Sequence, residues 1–81
     1  MDRNELTNII KKCIAKVAEI SENEIDSNVN LIDDLGLSSL EIIEIVSLIE
    51  DELDVEIPVD AIQEMSSISD IANFCQKEKK Q

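Results

Sequence analysis

Apolar residues recur along this chain at three- and four-residue steps, and nowhere do they alternate for the length of a strand. Ile42, Ile45, Val46, Ile49 and Leu53 make the clearest stripe, on a helix expected from about Ser39 to Leu53. Leu6, Ile9, Ile10, Cys13, Val17 and then Ile20 make a second, on a helix from about Arg3 to Ala18. Asp2 with Glu5 is its start signal, and Lys11, Lys12 and Lys16 take its other side. Pro58 can open a helix but cannot continue one, so a short helix is expected from about Val59 to Glu64, with Val59 and Ile62 inward. Ser66-Ser67 caps a fourth, from about Ile68 to Lys77, apolar along Ile68, Ile71, Ala72, Phe74 and Cys75. Lys77, Lys79 and Lys80 sit where that helix's negative end favours cations. A long connection from about Ser21 to Leu37 carries apolar anchors at Ile25, Val29, Leu31, Ile32 and Leu35, with Ser21-Glu22-Asn23-Glu24 able to cap a brief turn. The expected fold is all-α: a small four-helix bundle with a short third helix and a long loop between helices 1 and 2, residues 1–81 forming one domain.

Charge narrows the function. The formal net charge is −12, and the bases stand at the two ends. No Lys or Arg occurs between Val17 and Gln76, while Glu19 through Asp70 supply 16 acids. Nucleic-acid binding needs a basic footprint, which this sequence lacks. Self-repulsion on this scale opposes folding, and the acidic middle reads either as a solubilising surface or as a docking face for basic partners. The longest apolar run is three residues, Cys13 to Ala15, so neither a membrane span nor a signal peptide is expected, and the protein is expected to be cytoplasmic. A chain of 81 residues buries a modest core, with little room for a deep active site. There is no histidine, hence neither the commonest general base nor the commonest metal ligand. Cys13 and Cys75 form no C-x-x-C pair and fall in apolar stripes, as small buried hydrophobes do.

Two motifs bear on chemistry. Asp26-x-Asn28-x-Asn30 opens with the spacing of a calcium loop, but Leu31 replaces its turn glycine and Leu37 its closing Glu. Oxygens cannot then surround an ion, and no metal site is expected beyond loose attraction to carboxylates such as Asp33 and Asp34. The second motif is Asp33-Asp34-Leu35-Gly36-Leu37-Ser38-Ser39-Leu40-Glu41. Gly36 permits a sharp turn, and Ser38 with Glu41 three residues on is a capping box. Ser39 is then the first helical residue, its hydroxyl free at the positive end of the helix dipole, a place suited to a phosphate ester. Two serines at a helix start can equally both be caps, and no residue is placed to activate either as a nucleophile. Along the same helix Leu40, Ile43 and Ser47 fall away from the core stripe, among Glu41, Glu44, Glu50 and Asp51. A greasy pair ringed by carboxylates reads as an interaction patch.

From about Leu6 to Phe74 the chain resembles the acyl carrier protein family, most strongly from Leu31 to Pro58. The family's mark is Asp-Ser-Leu after Leu-Gly-x at the start of an acidic second helix, with a Glu-Ile-Pro ending shortly after it. Here these read Leu35-Gly36-Leu37-Ser38-Ser39-Leu40-Glu41 and Asp54-Val55-Glu56-Ile57-Pro58. The resemblance implies that a phosphopantetheinyl transferase esterifies Ser39 with the 4'-phosphopantetheine arm of coenzyme A. The arm's thiol then holds an acyl chain as a thioester for fatty-acid or related biosynthetic enzymes. It implies a non-catalytic carrier, and it implies that basic patches on acyl-transferring and condensing enzymes dock on Ser38, Leu40, Glu41, Ile43, Glu44, Ser47, Glu50 and Asp51. Ser38 departs from the family's Asp, removing a charge beside the attachment point and bringing a specialised polyketide or aminoacyl carrier into view. An acidic helical interaction module without a prosthetic group, or a metal-responsive helical protein, are the readings outside this class. Burying an acyl chain is worth about 0.8 kcal/mol per methylene, and Ile45, Ile49, Ile57 and Ile62, parting modestly, are the expected lining, although each suits a plain core equally. A monomer is expected.

Overall fold

The computed structural model describes residues 2–26 and 28–78. It contains four α-helices: α1 (Arg3–Ala18), α2 (Ser39–Leu53), α3 (Val59–Gln63) and α4 (Ile68–Glu78). A three-residue 3-10 turn, Glu22–Glu24, interrupts the connection between α1 and α2. Among the described residues there is no strand, only one isolated bridge between Asn30 and Ser67. The architecture is the all-helical bundle with a short third helix that the apolar spacing leads one to expect. Lys79 and Lys80 lie outside the described residues.

Each helix begins and ends for an identifiable reason. Asp2 caps α1, accepting from the Glu5 amide at 2.9 Å while Glu5 reaches back to the Asp2 amide. Ser67 caps α4 through the Asp70 amide at 3.2 Å, and Asp70 in turn accepts from the Ser66 amide at 3.1 Å. Both α1 and α2 stop without glycine. Glu19 (φ 60°) and Asp54 (φ 55°) adopt the left-handed conformation themselves. The following residues, Ile20 and Val55, then turn back against the core and donate to Ala15 and Glu50 carbonyls.

α1 packs against both α2 and α4. Ile10 and Ile14 of α1, Ile45 and Ile49 of α2, and Ile68, Ile71 and Cys75 of α4 are almost wholly withdrawn from solvent. Ile14 was not part of the expected stripe; it stands one turn after Ile10 and occupies the centre, while Ile9, Val17 and Ile20 flank it half-buried. Arg3 ties the start of α1 to the last turns of α4, donating to Asn73 Oδ1 at 2.7 Å and Gln76 Oε1 at 2.8 Å. Cys13 and Cys75 are free and buried. Burial, with the nearby Glu78 charge, pushes the Cys75 thiol up to about 11, so it stays protonated and unreactive at neutral pH.

Two expected anchors face outward. Ile32 is 53% exposed, because Leu31 beside it takes the inward position and adjacent residues of a tight turn cannot both do so. Val59 is 66% exposed. With only five residues, α3 meets the core through its second half, where Ala61 and Ile62 pack, and Met65 just beyond it is buried.

Among the described residues no ion pair offsets the acidic excess. Repulsion between carboxylates therefore opposes this fold directly, and mobile cations should relieve it. Added salt or millimolar Mg2+ is expected to raise the thermal midpoint followed by circular dichroism. An unchanged midpoint would mean that carboxylate repulsion does not limit stability.

Candidate functional site

The start of α2 is built by the loop ahead of it. Asn30 folds that loop: its Oδ1 accepts from the Ile32 amide at 2.9 Å and the Asp33 amide at 2.7 Å, and its own amide donates to Asp34 Oδ2 at 2.9 Å. Asp26 Oδ1 likewise accepts from the Asn28 amide at 3.3 Å. Of the three side chains that gave this stretch the look of a calcium loop, Asp26 and Asn30 thus spend an oxygen on its own backbone, as Asx turns. Among the described residues no group of three or more His, Cys, Asp or Glu side chains is arranged to hold a metal.

Leu31 then fastens the loop to the bundle. Its side chain is fully buried, its amide donates to the Ser66 carbonyl at 2.7 Å, and its carbonyl accepts from the Leu37 amide at 3.0 Å. Gly36 makes the return with φ +65°, a conformation side chains disfavour, and the space about it is open, so backbone shape alone calls for glycine there. Leu37 is buried, and Ser38 follows at the helix threshold.

Ser38 is the cap. Its Oγ accepts from the Glu41 amide at 3.3 Å, and Glu41 Oε1 accepts from the Ser38 amide at 2.9 Å. These bonds satisfy two of the four donors that a helix start leaves over. The amides of Ser39 and Leu40 remain without partners among the described residues. Ser39 is exposed, and its hydroxyl is engaged by no described residue. A tetrahedral anion esterified to Ser39 Oγ would therefore find open space, two unpaired amides and the positive end of a 15-residue helix dipole. The residues present fit a phosphate ester.

Beyond Ser39 the outer side of α2 is mixed. Leu40 is 67% exposed and Ile43 51% exposed, with Glu44, Ser47 and Asp51 also in solvent. Ile32 and Val59 join them as the large exposed apolar residues of the described chain, and neither was distinguishable in the sequence from an inward residue. Glu41 and Glu50 are half-buried. Glu41 serves the cap, and Glu50 Oε2 accepts from the Ile57 amide at 2.7 Å.

The four isoleucines expected to line an acyl chain divide. Ile45 and Ile49 are fully packed, Ile57 is nearly so, and Ile62 is half-buried against the core. Two grooves on the surface of the described residues bear on this set. One, lined by Glu50, Glu56, Ile57, Pro58, Phe74 and Glu78, touches the set through Ile57. The other lies beside Lys12, Lys16, Leu48 and Glu52, away from all four. No helix among the described residues is long and apolar enough to cross a membrane.

A family model described as the phosphopantetheine attachment site matches residues 8–75. The acyl carrier protein of Clostridium acetobutylicum is 37% identical over 65 residues, covering 80% of this chain and 84% of that protein. That of Borreliella burgdorferi is 30% identical over 79 residues, covering 98% and 99%. Among solved structures, the acyl carrier protein from Enterococcus faecalis superposes with a TM-score of 0.78 over 98% of this chain and all of that one; at 23% identity this speaks to the fold.

The cap geometry makes a quantitative claim. Ser38→Ala removes the acceptor for the Glu41 amide and is expected to cost about 1 kcal/mol in urea denaturation, whereas Ser38→Asp, an equally good cap, stays close to wild type. A Ser38→Ala variant as stable as wild type would show that Ser38 does not hold the helix start.

Proposed function

Since this chain belongs to the acyl carrier protein family and carries its phosphopantetheine attachment domain, we propose that Ser39 is the residue to which the 4'-phosphopantetheine arm is joined. One observation carries the assignment: Ser38 takes the capping role, which leaves the Ser39 hydroxyl exposed and unbonded. The attached group supplies a terminal thiol that holds an acyl chain as a thioester. The chain's own part is to present the tether and to bind. Ser39 Oγ forms the ester bond, and the amides of Ser39 and Leu40 are available to the phosphate oxygens.

Docking falls to the outer side of α2. Leu40 and Ile43 offer apolar contact, and Glu44 and Asp51 flank them with charge that steers basic partners. Ser38, Glu41, Ser47 and Glu50 complete this surface. Ile45, Ile49, Ile57 and Ile62 are the residues proposed to part around the acyl chain, each methylene buried being worth about 0.8 kcal/mol. The chain acts in the cytoplasm as a monomeric, single-domain, non-catalytic carrier. Its partners are a phosphopantetheinyl transferase and acyl-transferring or condensing enzymes with basic patches.

Incubation with coenzyme A and a phosphopantetheinyl transferase is expected to add the mass of the arm to wild type and nothing to Ser39→Ala. Wild type left unmodified under conditions that load a known carrier protein overturns the assignment. For the docking surface, Glu44→Lys with Asp51→Lys should slow acyl transfer to a partner enzyme severalfold, and more so at low salt, with helix content unchanged. Equal transfer rates would reduce the acidic face to a solubiliser.

A further inference from the structure

The hydroxyl of Ser38 has a proton that the helix cap does not use. Its Oγ accepts from the Glu41 amide at 3.3 Å, which occupies a lone pair and leaves the O–H to turn outward. Ser38 is exposed, and no described residue accepts from its hydroxyl. The first carboxylate of α2, that of Glu41, is drawn back onto the Ser38 amide at 2.9 Å. Ser38 itself is extended (φ −81°, ψ 166°), so its side chain overhangs the open end of α2, where the Ser39 and Leu40 amides also point. A hydroxyl and two amides are thus gathered beside Ser39 Oγ. A phosphodiester formed there has one negative charge and two unbridged oxygens, each able to accept more than one hydrogen bond.

We infer that Ser38 binds the phosphate of the arm, donating its hydroxyl to an unbridged oxygen while its Oγ goes on capping α2. The inference rests on the attachment at Ser39 proposed above. An Asp at this position, from which Ser38 departs, caps equally well but has no proton to give at neutral pH, and it sets a second negative charge against the phosphate. Serine here therefore does more than drop a charge. It turns a repelling neighbour into a bonding one and ties down the root of the arm. A hydrogen bond to an ionised oxygen is stronger than one between neutral groups, so loading the arm should itself stabilise the fold.

Three substitutions separate the proton from the cap and from the charge. Ser38→Thr keeps the hydroxyl, Ser38→Gly is a neutral cap without a proton, and Ser38→Asp is a charged cap without one. Each protein is loaded to completion with coenzyme A and a phosphopantetheinyl transferase, then read by phosphorus-31 NMR and by urea denaturation against its unloaded form. In wild type and Ser38→Thr the phosphorus resonance should stand apart from its position in the urea-unfolded protein, and loading should lower the unfolding constant about fivefold. In Ser38→Gly the resonance should move toward the unfolded position, and the gain from loading should shrink to about twofold. Ser38→Asp should lose at least as much, and 1 M salt, which screens exposed charges beyond about 3 Å, should bring it back to Ser38→Gly and no further. A resonance and a loading gain that are the same in wild type and Ser38→Gly overturn the bond, as does Ser38→Thr behaving like Ser38→Gly. So does Ser38→Asp returning to wild type in salt, since charge alone would then account for the difference. Should Ser38→Gly refuse the arm, the Ser38→Asp comparison in salt decides by itself. Wild type that takes no arm overturns the carrier reading and this inference together; wild type that takes it, with no difference among the variants, overturns this inference alone.

Discussion

Everything that presents Ser39 depends on how Leu31 is held. Its side chain is sealed in the core, its amide is spent on the start of α4 and its carbonyl on Leu37, so one residue joins three parts of the molecule. Fixing a backbone residue costs on the order of 1–2 kcal/mol, and a connection of this length could not be kept in one shape by its polar residues alone. Leu31 supplies apolar burial at the middle of the loop, Ile25 and Leu37 supply it on either side, and the Asn30 turns fill the intervals. The helix start is therefore delivered to a defined place with Ser38 already occupied as its cap.

The molecule also shows how a heavily acidic chain keeps a fold and a working surface apart. None of the described carboxylates is fully buried, so none carries the desolvation cost of a charge in the core. Many serve locally instead: Glu5, Glu24, Glu41 and Asp70 answer helix-start donors, Asp26 and Asp34 close turns, and Glu50 seats Ile57. The ones left over, Glu44 and Asp51 among them, stand in solvent and set the electrostatic field at the surface.

Most of the fold is legible in the sequence wherever an element is long enough to repeat its pattern. α2 shows its stripe over four turns and announces its start with Ser38 and Glu41, so the helix, its buried side and the place of Ser39 at its first position can all be read. Short pieces defeat the same reasoning. A five-residue α3 contains little more than one turn, which cannot say whether Val59 or a later residue meets the core, and Met65 stands alone among polar neighbours. Leu31 and Ile32 are chemically alike, and only the turn made by Asn30 decides which goes in. The bond from Glu50 to Ile57 joins a side chain to an amide seven residues later, a spacing with no periodic signature. The phosphate-bearing role proposed for Ser39 rests on capping logic and family resemblance together, because a free hydroxyl at a helix start has no chemistry of its own.

The bonds from Arg3 to Asn73 and Gln76 bring the beginning of α1 against the last turns of α4, while the other end of α4 abuts Leu31. Gln76 stands nine residues after Ser67 along this helix, a rise of about 13 Å. Polypeptide entering at Arg3 and leaving past Glu78 thus does so at the far pole from Ser39. Anything joined there, whether a fusion partner, an affinity handle or a solid support, leaves the serine end facing outward and able to sweep through its surroundings.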